Sequence, residues 1–372
     1  MSAAQKVLFA KQSVLRVATL NSPKSLNALD LDMVRLLSKQ FAIFEDNETI
    51  GALILDGAKS SKVKSFCAGG DIVNLHANAS APETRNKCTE FFLEEYTLNY
   101  MLKHYKKPIV SILNGITMGG GVGVSVHGAF RIATENTVFA MPECSIGFFP
   151  DVGLTHLLPS LPIGTYLGMT GERLKGQEVV DAGIATHFCH STDVPYLLET
   201  INTAALHHTG SYTNDADIFE VVELAINSVA IEGQPATSVK QNMNEIMKVF
   251  DVDLSTPEAI DNIAENLKES ESDWSNSALK KMQAASPFAL QATRELFSHS
   301  QKGTANFGEQ LSREFEATKV FMAHPDFVEG VSAAVIERRK PEFGALEGEW
   351  KPIVDGHTWP IDFQERVDAL IQ

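Results

Sequence analysis

Residues 114–153 constrain this chain most, because they combine a run of glycines with two carboxylates. The run begins at Gly119, after a predicted buried strand over 109–113, and a helix of small residues is predicted to follow it. Glycine has no Cβ, so its backbone can approach a ligand closely, and the first N–H groups of a helix are free to bind a polarised oxygen. Glu143 and Asp151 close the stretch and could act on the molecule that carries this oxygen. The pattern therefore indicates an oxyanion-type site with an acid–base partner.

Each of these features also has an interpretation that involves no ligand. The glycine run could be a tight packing point between a helix and a strand. Asp151 could cap a helix over 152–158, and Glu95 could lie on the polar face of its own helix without a functional role. Glu143 differs from both, since it lies in the apolar segment FAMPE, where an unpaired carboxylate would be costly to bury. The residues alone leave these alternatives open.

Charge and composition narrow the class of ligand. The formal net charge of −16 and the pI of about 5.1 provide no basic field to attract nucleic acid, whereas local lysines and helix N-termini could still bind an anionic small molecule. No apolar run approaches the length of a membrane span. The 4 cysteines fit neither a zinc pattern nor a disulfide framework. The run GGGVG also has the wrong spacing for a dinucleotide-binding loop. We therefore predict a small-molecule site without a metal.

The character of the chain changes after about residue 190. Strand and helix patterns alternate before it, which predicts an α/β layer structure. Helical patterns dominate beyond it, and one of them predicts a single helix over 275–298. Residues 341–372 contain several prolines and little periodicity, which favours an extended tail on the surface. We predict a core over 1–200, a helical region over 201–340 and a tail over 341–372.

Several motifs in the same order resemble the crotonase (enoyl-CoA hydratase/isomerase) superfamily. They include CAGGD at 67–71, FFLEEY at 91–96, GITMGGGVG at 115–123 and FAMPE at 139–143. The resemblance covers residues 10–190 strongly and is closest to the branch that hydrolyses 3-hydroxyisobutyryl-CoA. It implies a crotonase-like spiral of β-β-α turns, followed by a helical C-terminal region.

The resemblance also assigns roles to residues of this chain. The backbone N–H groups of Ala68 and Gly120 are expected to hold the thioester oxygen of an acyl-CoA. Glu143 and Asp151 are expected to be the catalytic carboxylates, and Glu95 to contact the acyl group. No metal or redox cofactor is implied, because the CoA belongs to the substrate.

Two positions distinguish the branches of the superfamily. Hydratases carry glutamate at the position of Gly123 and glycine at that of Asp151, and this chain has the reverse. We therefore expect hydrolysis of a short branched β-hydroxyacyl-CoA, in valine breakdown and, by resemblance, in the mitochondrion, although no transit peptide is visible. An isomerase or hydratase and a ribosome-associated subunit with the same fold remain as alternatives. No membrane partner is expected, and a homo-oligomer is left open.

Overall fold

The computed structural model describes residues 6–59, 63–210, 217–231, 237–301, 305–346, 350–354 and 360–370. The strands are β1 (Val7–Gln12), β2 (Leu15–Leu20), β3 (Ala52–Gly57), β4 (Ser65–Cys67), β5 (Ile109–Leu113), β6 (Ile116–Met118), β7 (Phe130–Ala133), β8 (Val138–Ala140), β9 (Leu174–Lys175) and β10 (His187–Phe188). The helices of the first half are α1 (Leu31–Glu45), α2 (Ile72–Ala79), α3 (Arg85–Lys103), α4 (Gly120–Val126), α5 (Leu154–Leu157), α6 (Gly164–Thr170) and α7 (Gln177–Asp181). Those of the second half are α8 (Val194–Gly210), α9 (Ile218–Asn227), α10 (Ser238–Phe250), α11 (Ala259–Ser270), α12 (Asp273–Ala284), α13 (Pro287–Gln301), α14 (Phe307–Ala323), α15 (Pro325–Val331) and α16 (Phe363–Asp368).

The strands form two sheets that the chain visits in turn. The larger sheet has the order β1-β2-β3-β5-β7-β10, and the smaller one has the order β4-β6-β8-β9. Strands β3, β5 and β7 of the larger sheet are each followed by a strand of the smaller sheet, and neighbouring turns pair in parallel. This alternation confirms the predicted spiral of β-β-α turns.

Both faces of the larger sheet are buried at its central strands β3 and β5. In β3, Leu53 and Leu55 belong to the main hydrophobic core, and Ile54 between them belongs to a second core beneath α8 and α9. Alternate residues of a strand point to opposite faces, so an uninterrupted apolar run is required here. Helix α8 runs across residue 200, and the main core contains residues from both sides of it. The division at residue 200 stays a prediction.

Two predictions for the second half of the chain are wrong. The single helix over 275–298 is two helices, because Ser286 interrupts it: its side chain accepts a hydrogen bond from the N–H of Ala289, and its own N–H binds the carbonyl of Cys144. Residues 341–372 are not extended throughout, since α16 forms with Phe363 buried and packs against α3. Within the described residues, no helix has both the length and the apolar character needed to cross a membrane.

Candidate active site

One cavity brings the two glycine turns and the predicted carboxylates together. It encloses roughly 100 Å³ between α3, α4, the turn before α2 and the segment that follows β8. All five residues of the predicted site line it: Ala68, Glu95, Gly120, Glu143 and Asp151. The other lining residues are Gly69, Gly70, Ile72, Leu75, Phe91, Phe92, Met118, Gly119, Pro142, Ile146, Phe148 and Phe327.

The glycine run leaves space for side chains of the site and also allows close packing between α4 and the smaller sheet. A methyl group on Gly119 would lie 2.9 Å from Oε1 of Glu143, and one on Gly120 would collide with Oε1 of Glu95. A methyl group on Gly121 would instead collide with the carbonyl of Cys67 on β4. The absence of side chains therefore lets two carboxylates reach the turn and lets α4 pack against the smaller sheet.

The structure corrects one of the two predicted oxyanion donors. The N–H of Ala68 donates to the carbonyl of Leu26 at 3.1 Å, so the prediction that it holds a substrate oxygen is wrong. Gly120 begins α4, where an N–H has no partner within the helix. The amide nitrogen of Gly70 lies beside it, 3.3 Å from where a Cβ of Gly120 would stand. Gly70 and Gly120 therefore bring two backbone amide groups close together in the lining of one cavity.

Glu143 enters the cavity from a short 3₁₀ turn after β8. Its side chain is buried, and among the described residues its Oε2 atom has no hydrogen-bond partner. Burial, followed by the nearby charge of Asp151, raises the pKa of Glu143 well above its ordinary range. A buried carboxyl group with a free oxygen facing a cavity is suited to exchange a proton with a bound molecule.

Asp151 is not a helix cap. Its side chain accepts a hydrogen bond of 2.8 Å from the hydroxyl of Tyr96, and Gly153 is the residue that precedes α5. Burial raises the pKa of Asp151 to about 7, and the bond from Tyr96 opposes this rise. The alternative interpretation, that Asp151 caps a helix over 152–158, is therefore wrong.

Glu95 does not lie on a solvent-exposed face of α3. Its side chain is buried, and Oε1 has no hydrogen-bond partner among the described residues. Burial raises its pKa well above the ordinary range, and the charges of Asp151, Glu314 and Glu143 add to this rise. Glu95 therefore belongs to a cluster of acids around the cavity.

Sequence analysis missed the polar face of α14. Gln310, Glu314 and Thr318 recur every four residues and therefore lie on one face of the helix, and all three are fully buried. The carboxylate of Glu314 accepts hydrogen bonds from the N–H of Gly153 at 2.8 Å and of Thr155 at 3.2 Å. Polar residues at this spacing among apolar ones were the signal that could have revealed the contact.

The backbone immediately after Asp151 is strained. Val152 has a φ of +54°, a left-handed conformation that costs a β-branched residue roughly 1–2 kcal/mol. The Nε2–H of His127 donates to the carbonyl of Val152 at 2.7 Å, and burial lowers the pKa of His127 to about 3, so that the ring is neutral. Together with Glu314, this bond fixes the loop that carries Asp151.

Aromatic side chains form much of the cavity wall. Phe92 and Phe148 stack with ring centroids 5.5 Å apart, and Phe327 lies 5.7 Å from Phe148. These rings, with Ile146, make an apolar wall that suits a short branched acyl group. Within the ranges that the structure describes, no group of three or more His, Cys, Asp or Glu residues is arranged to hold a metal ion.

The fold agrees with the comparison to known families. The profile of the family described as "Enoyl-CoA hydratase/isomerase" matches residues 15–349, and the chain belongs to this family. The chain is similar to the mitochondrial 3-hydroxyisobutyryl-CoA hydrolase of Homo sapiens, with 38% identity over 94% of this chain and 85% of that protein. It is also similar to the small ribosomal subunit protein mS47 of Neurospora crassa, with 36% identity over 94% of this chain and 68% of that protein.

Two solved structures share nearly all of this architecture. A carnitinyl-CoA dehydratase from Mycobacterium thermoresistibile has a TM-score of 0.81 and 28% identity, with 96% of this chain and 98% of that chain covered. An enoyl-CoA hydratase from Rhodobacter sphaeroides 2.4.1 has a TM-score of 0.76 and 31% identity, with 91% and 92% covered. The predicted crotonase-like fold is therefore confirmed.

Proposed function

We propose that this protein hydrolyses 3-hydroxyisobutyryl-CoA to 3-hydroxyisobutyrate and CoA. The observation that carries the proposal is the convergence, in one small cavity, of Glu143 and Asp151 with the N–H groups of Gly70 and Gly120. The similarity to hydrolases named for this substrate supports the choice of acyl group. Thioester hydrolysis needs no metal or redox cofactor, because the CoA is part of the substrate.

The two N–H groups would bind the thioester oxygen as negative charge develops on it. Glu143 would act either as a general base that activates water or as a nucleophile that forms an anhydride. The oxygen of water then joins the acyl carbon, the C–S bond breaks, and one hydrogen of water ends on sulfur. Asp151 and Glu95 would bind the hydroxyl group of the substrate, since both carboxyl groups line the cavity.

The test compares two thioesters that differ in the hydroxyl group alone. A buried site built to bind a hydroxyl rejects an analogue without it, because its polar groups are left unpaired. We expect kcat/KM for 3-hydroxyisobutyryl-CoA to exceed that for isobutyryl-CoA by at least about 10². Asp151→Asn should reduce both the rate and this ratio. Equal cleavage of the two thioesters by the wild type would refute hydroxyl recognition.

Several relatives named for this reaction, including the one from Homo sapiens, are named as mitochondrial, which supports the same compartment and a place in valine breakdown for this protein. The relative named mS47 favours a ribosomal role as a second candidate function. A protein of that kind would release no thiol from any acyl-CoA and would sediment with the small ribosomal subunit. A hydratase would instead change the ultraviolet absorbance of an enoyl-CoA without releasing thiol.

A further inference from the structure

Two buried hydroxyl groups connect Asp151 to the backbone of α14. The hydroxyl of Tyr96 lies 2.8 Å from Oδ2 of Asp151 and 3.0 Å from Oγ1 of Thr318. The hydroxyl of Thr318 lies 2.9 Å from the carbonyl oxygen of Glu314. We infer that this chain is a hydrogen-bond relay that stabilises Asp151 both with and without a proton. Tyr96 and Thr318 are therefore positioning residues for the proposed hydrolysis, on which this inference rests.

A count of hydrogens supports the relay. The chain contains three oxygen–oxygen contacts, whereas its two hydroxyl groups supply only two hydrogens. When Asp151 is ionised, Tyr96 donates to it, and Thr318 donates either to Tyr96 or to the carbonyl of Glu314. When Asp151 carries a proton, it donates to Tyr96, Tyr96 donates to Thr318, and Thr318 donates to the carbonyl. Conversion between the two arrangements needs only the rotation of two hydroxyl groups.

The surroundings of Asp151 allow both protonation states. Glu95 of α3, Glu143 after β8 and Glu314 of α14 all lie near it: burial raises the pKa of each of them, and the charge of Asp151 adds to the rise. Burial raises the pKa of Asp151 itself to about 7, whereas the bond from Tyr96 opposes the rise. Asp151 can therefore take up or lose a proton near neutral pH.

Two further ionisable groups face this loop, and neither competes for the proton. Burial raises the pKa of Tyr96 well above its ordinary range, so its hydroxyl keeps its hydrogen. Burial lowers the pKa of His127 to about 3, so its ring stays neutral while it donates to the carbonyl of Val152. The proton that the relay accommodates is therefore the one on Asp151.

The proposed reaction has a use for such a group. Hydrolysis transfers one hydrogen of water to the departing sulfur, and Asp151, which is proposed to bind the substrate hydroxyl beside this transfer, must be stable in either protonation state. The side chain of Asp151 is buried, so bulk water is not available to hydrogen-bond to it in either state. Hydroxyl groups that reverse their direction supply the missing partner in both states.

The test uses two nearly isosteric variants that should move the pH profile in opposite directions. Tyr96→Phe removes the donor to ionised Asp151, so the midpoint of the kcat/KM profile assigned to Asp151 should rise by about half to one pH unit. Thr318→Val removes the acceptor that Tyr96 needs when Asp151 is protonated, so the midpoint should fall by a similar amount. Thr318→Ser keeps the hydroxyl and should restore the wild-type midpoint.

Matched controls lie away from the site. Tyr105→Phe removes a buried hydroxyl that donates to the carbonyl of Phe41, and Thr170→Val removes one that donates to the carbonyl of Tyr166. Neither control should shift the midpoint. Shifts in the same direction for Tyr96→Phe and Thr318→Val, or no shift in either, would overturn the relay.

A second readout needs no catalysis. The infrared band of a protonated carboxyl group, assigned as the one that Asp151→Asn removes, gives the same midpoint in the protein without substrate. The opposite displacements are expected there too, including in a variant with little turnover. A wild type that releases no thiol would refute the proposed hydrolysis, whereas an active wild type with undisplaced variants would refute only the relay.

Discussion

The side chain of Val152 occupies the space that a side chain at Gly123 would need. A methyl group on Gly123 would lie 2.6 Å from Cβ of Val152 and 2.9 Å from its Cγ2. Val152 is fixed in this place by its φ of +54° and by the bond from His127. The glutamate that hydratases carry at position 123 therefore has no room in this backbone, which is a steric reason for a hydrolase to differ there.

Gly123→Ala should destabilise the protein by about 1–3 kcal/mol, because an extra methyl group in a close-packed core forces its neighbours to move. Urea unfolding measures the free energy. The double variant Gly123→Ala/Val152→Gly should recover part of the loss, since it removes both the collision and the strained valine. A double variant that loses as much as the sum of the two single variants would contradict the proposed contact.

Glu143→Gln should lower thiol release by at least ~10²-fold, because glutamine can neither accept a proton from water nor attack the carbonyl carbon. Binding of acyl-CoA, measured by calorimetry, should be retained. Glu316→Gln changes a carboxylate on the outer side of α14, paired with Lys319, and serves as the control. If Glu143→Gln turned over acyl-CoA nearly as fast as the control, Glu143 would not be a catalytic residue.

Two substitutions at Gly120 should separate its N–H from its lack of a side chain. Gly120→Pro removes the N–H and should lower kcat by ~10²–10³-fold, with the fold checked by circular dichroism. Gly120→Ala keeps the N–H but places a methyl group where the carboxylate of Glu95 lies, so a smaller loss of about 10–10² in kcat/KM is expected.

The combination Gly120→Ala/Glu95→Ala tests this explanation. The displaced carboxylate is already absent in Glu95→Ala, so the methyl group should then cost little more. If the loss in kcat/KM of the double variant instead equals the product of the two single losses, the methyl group does not act through Glu95.

Asp151→Asn should stabilise the protein more at high pH than at low pH. Burial raises the pKa of Asp151 from 3.8 to about 7, so the folded protein binds this proton more tightly than the unfolded chain. The stability that this tighter proton binding contributes to the folded protein is fully present below about pH 4 and is lost as the pH rises through about 7. Asparagine avoids the buried charge, so its advantage should grow by a few kcal/mol, in order of magnitude, between about pH 5 and about pH 8.5. Urea unfolding at the two pH values measures it, and an advantage that shrinks with pH would contradict the assigned shift.

Glu295 fixes the C-terminal segment to α13. Its buried carboxylate accepts hydrogen bonds from the indole N–H of Trp350 at 2.9 Å and from the N–H groups of Ile353 and Val354 at 3.1 Å. Glu295→Ala should therefore cost about 1–3 kcal/mol and expose the segment to limited proteolysis. Glu265→Ala, on the exposed side of α11, is the control. Equal resistance to protease in the two variants would refute this anchoring role.

Local patterns were enough to predict much of the core. The apolar run over 109–113 forms β5 with the predicted bounds, and the glycine run opens α4 as expected. The placement of Glu143 beside the glycine turn also followed from the sequence, because a carboxylate in the apolar segment FAMPE is costly to bury unless it has a polar partner or a function. These features depend on residues close together in the chain, which is why periodicity and composition reveal them.

The tertiary structure decided the rest. Ala68 and Gly70 are both small residues of one turn, and only the bond from Ala68 to Leu26 shows which N–H is occupied. Asp151 accepts a hydrogen bond from Tyr96, and Glu314 accepts one from Gly153 in the loop after Asp151, although these partners are far apart in the sequence. Such contacts depend on the path of the chain through the whole spiral and the helical region. No local pattern encodes that path, so the contact of Glu314 with the acid cluster and the chain of hydroxyl groups became visible only in the folded protein.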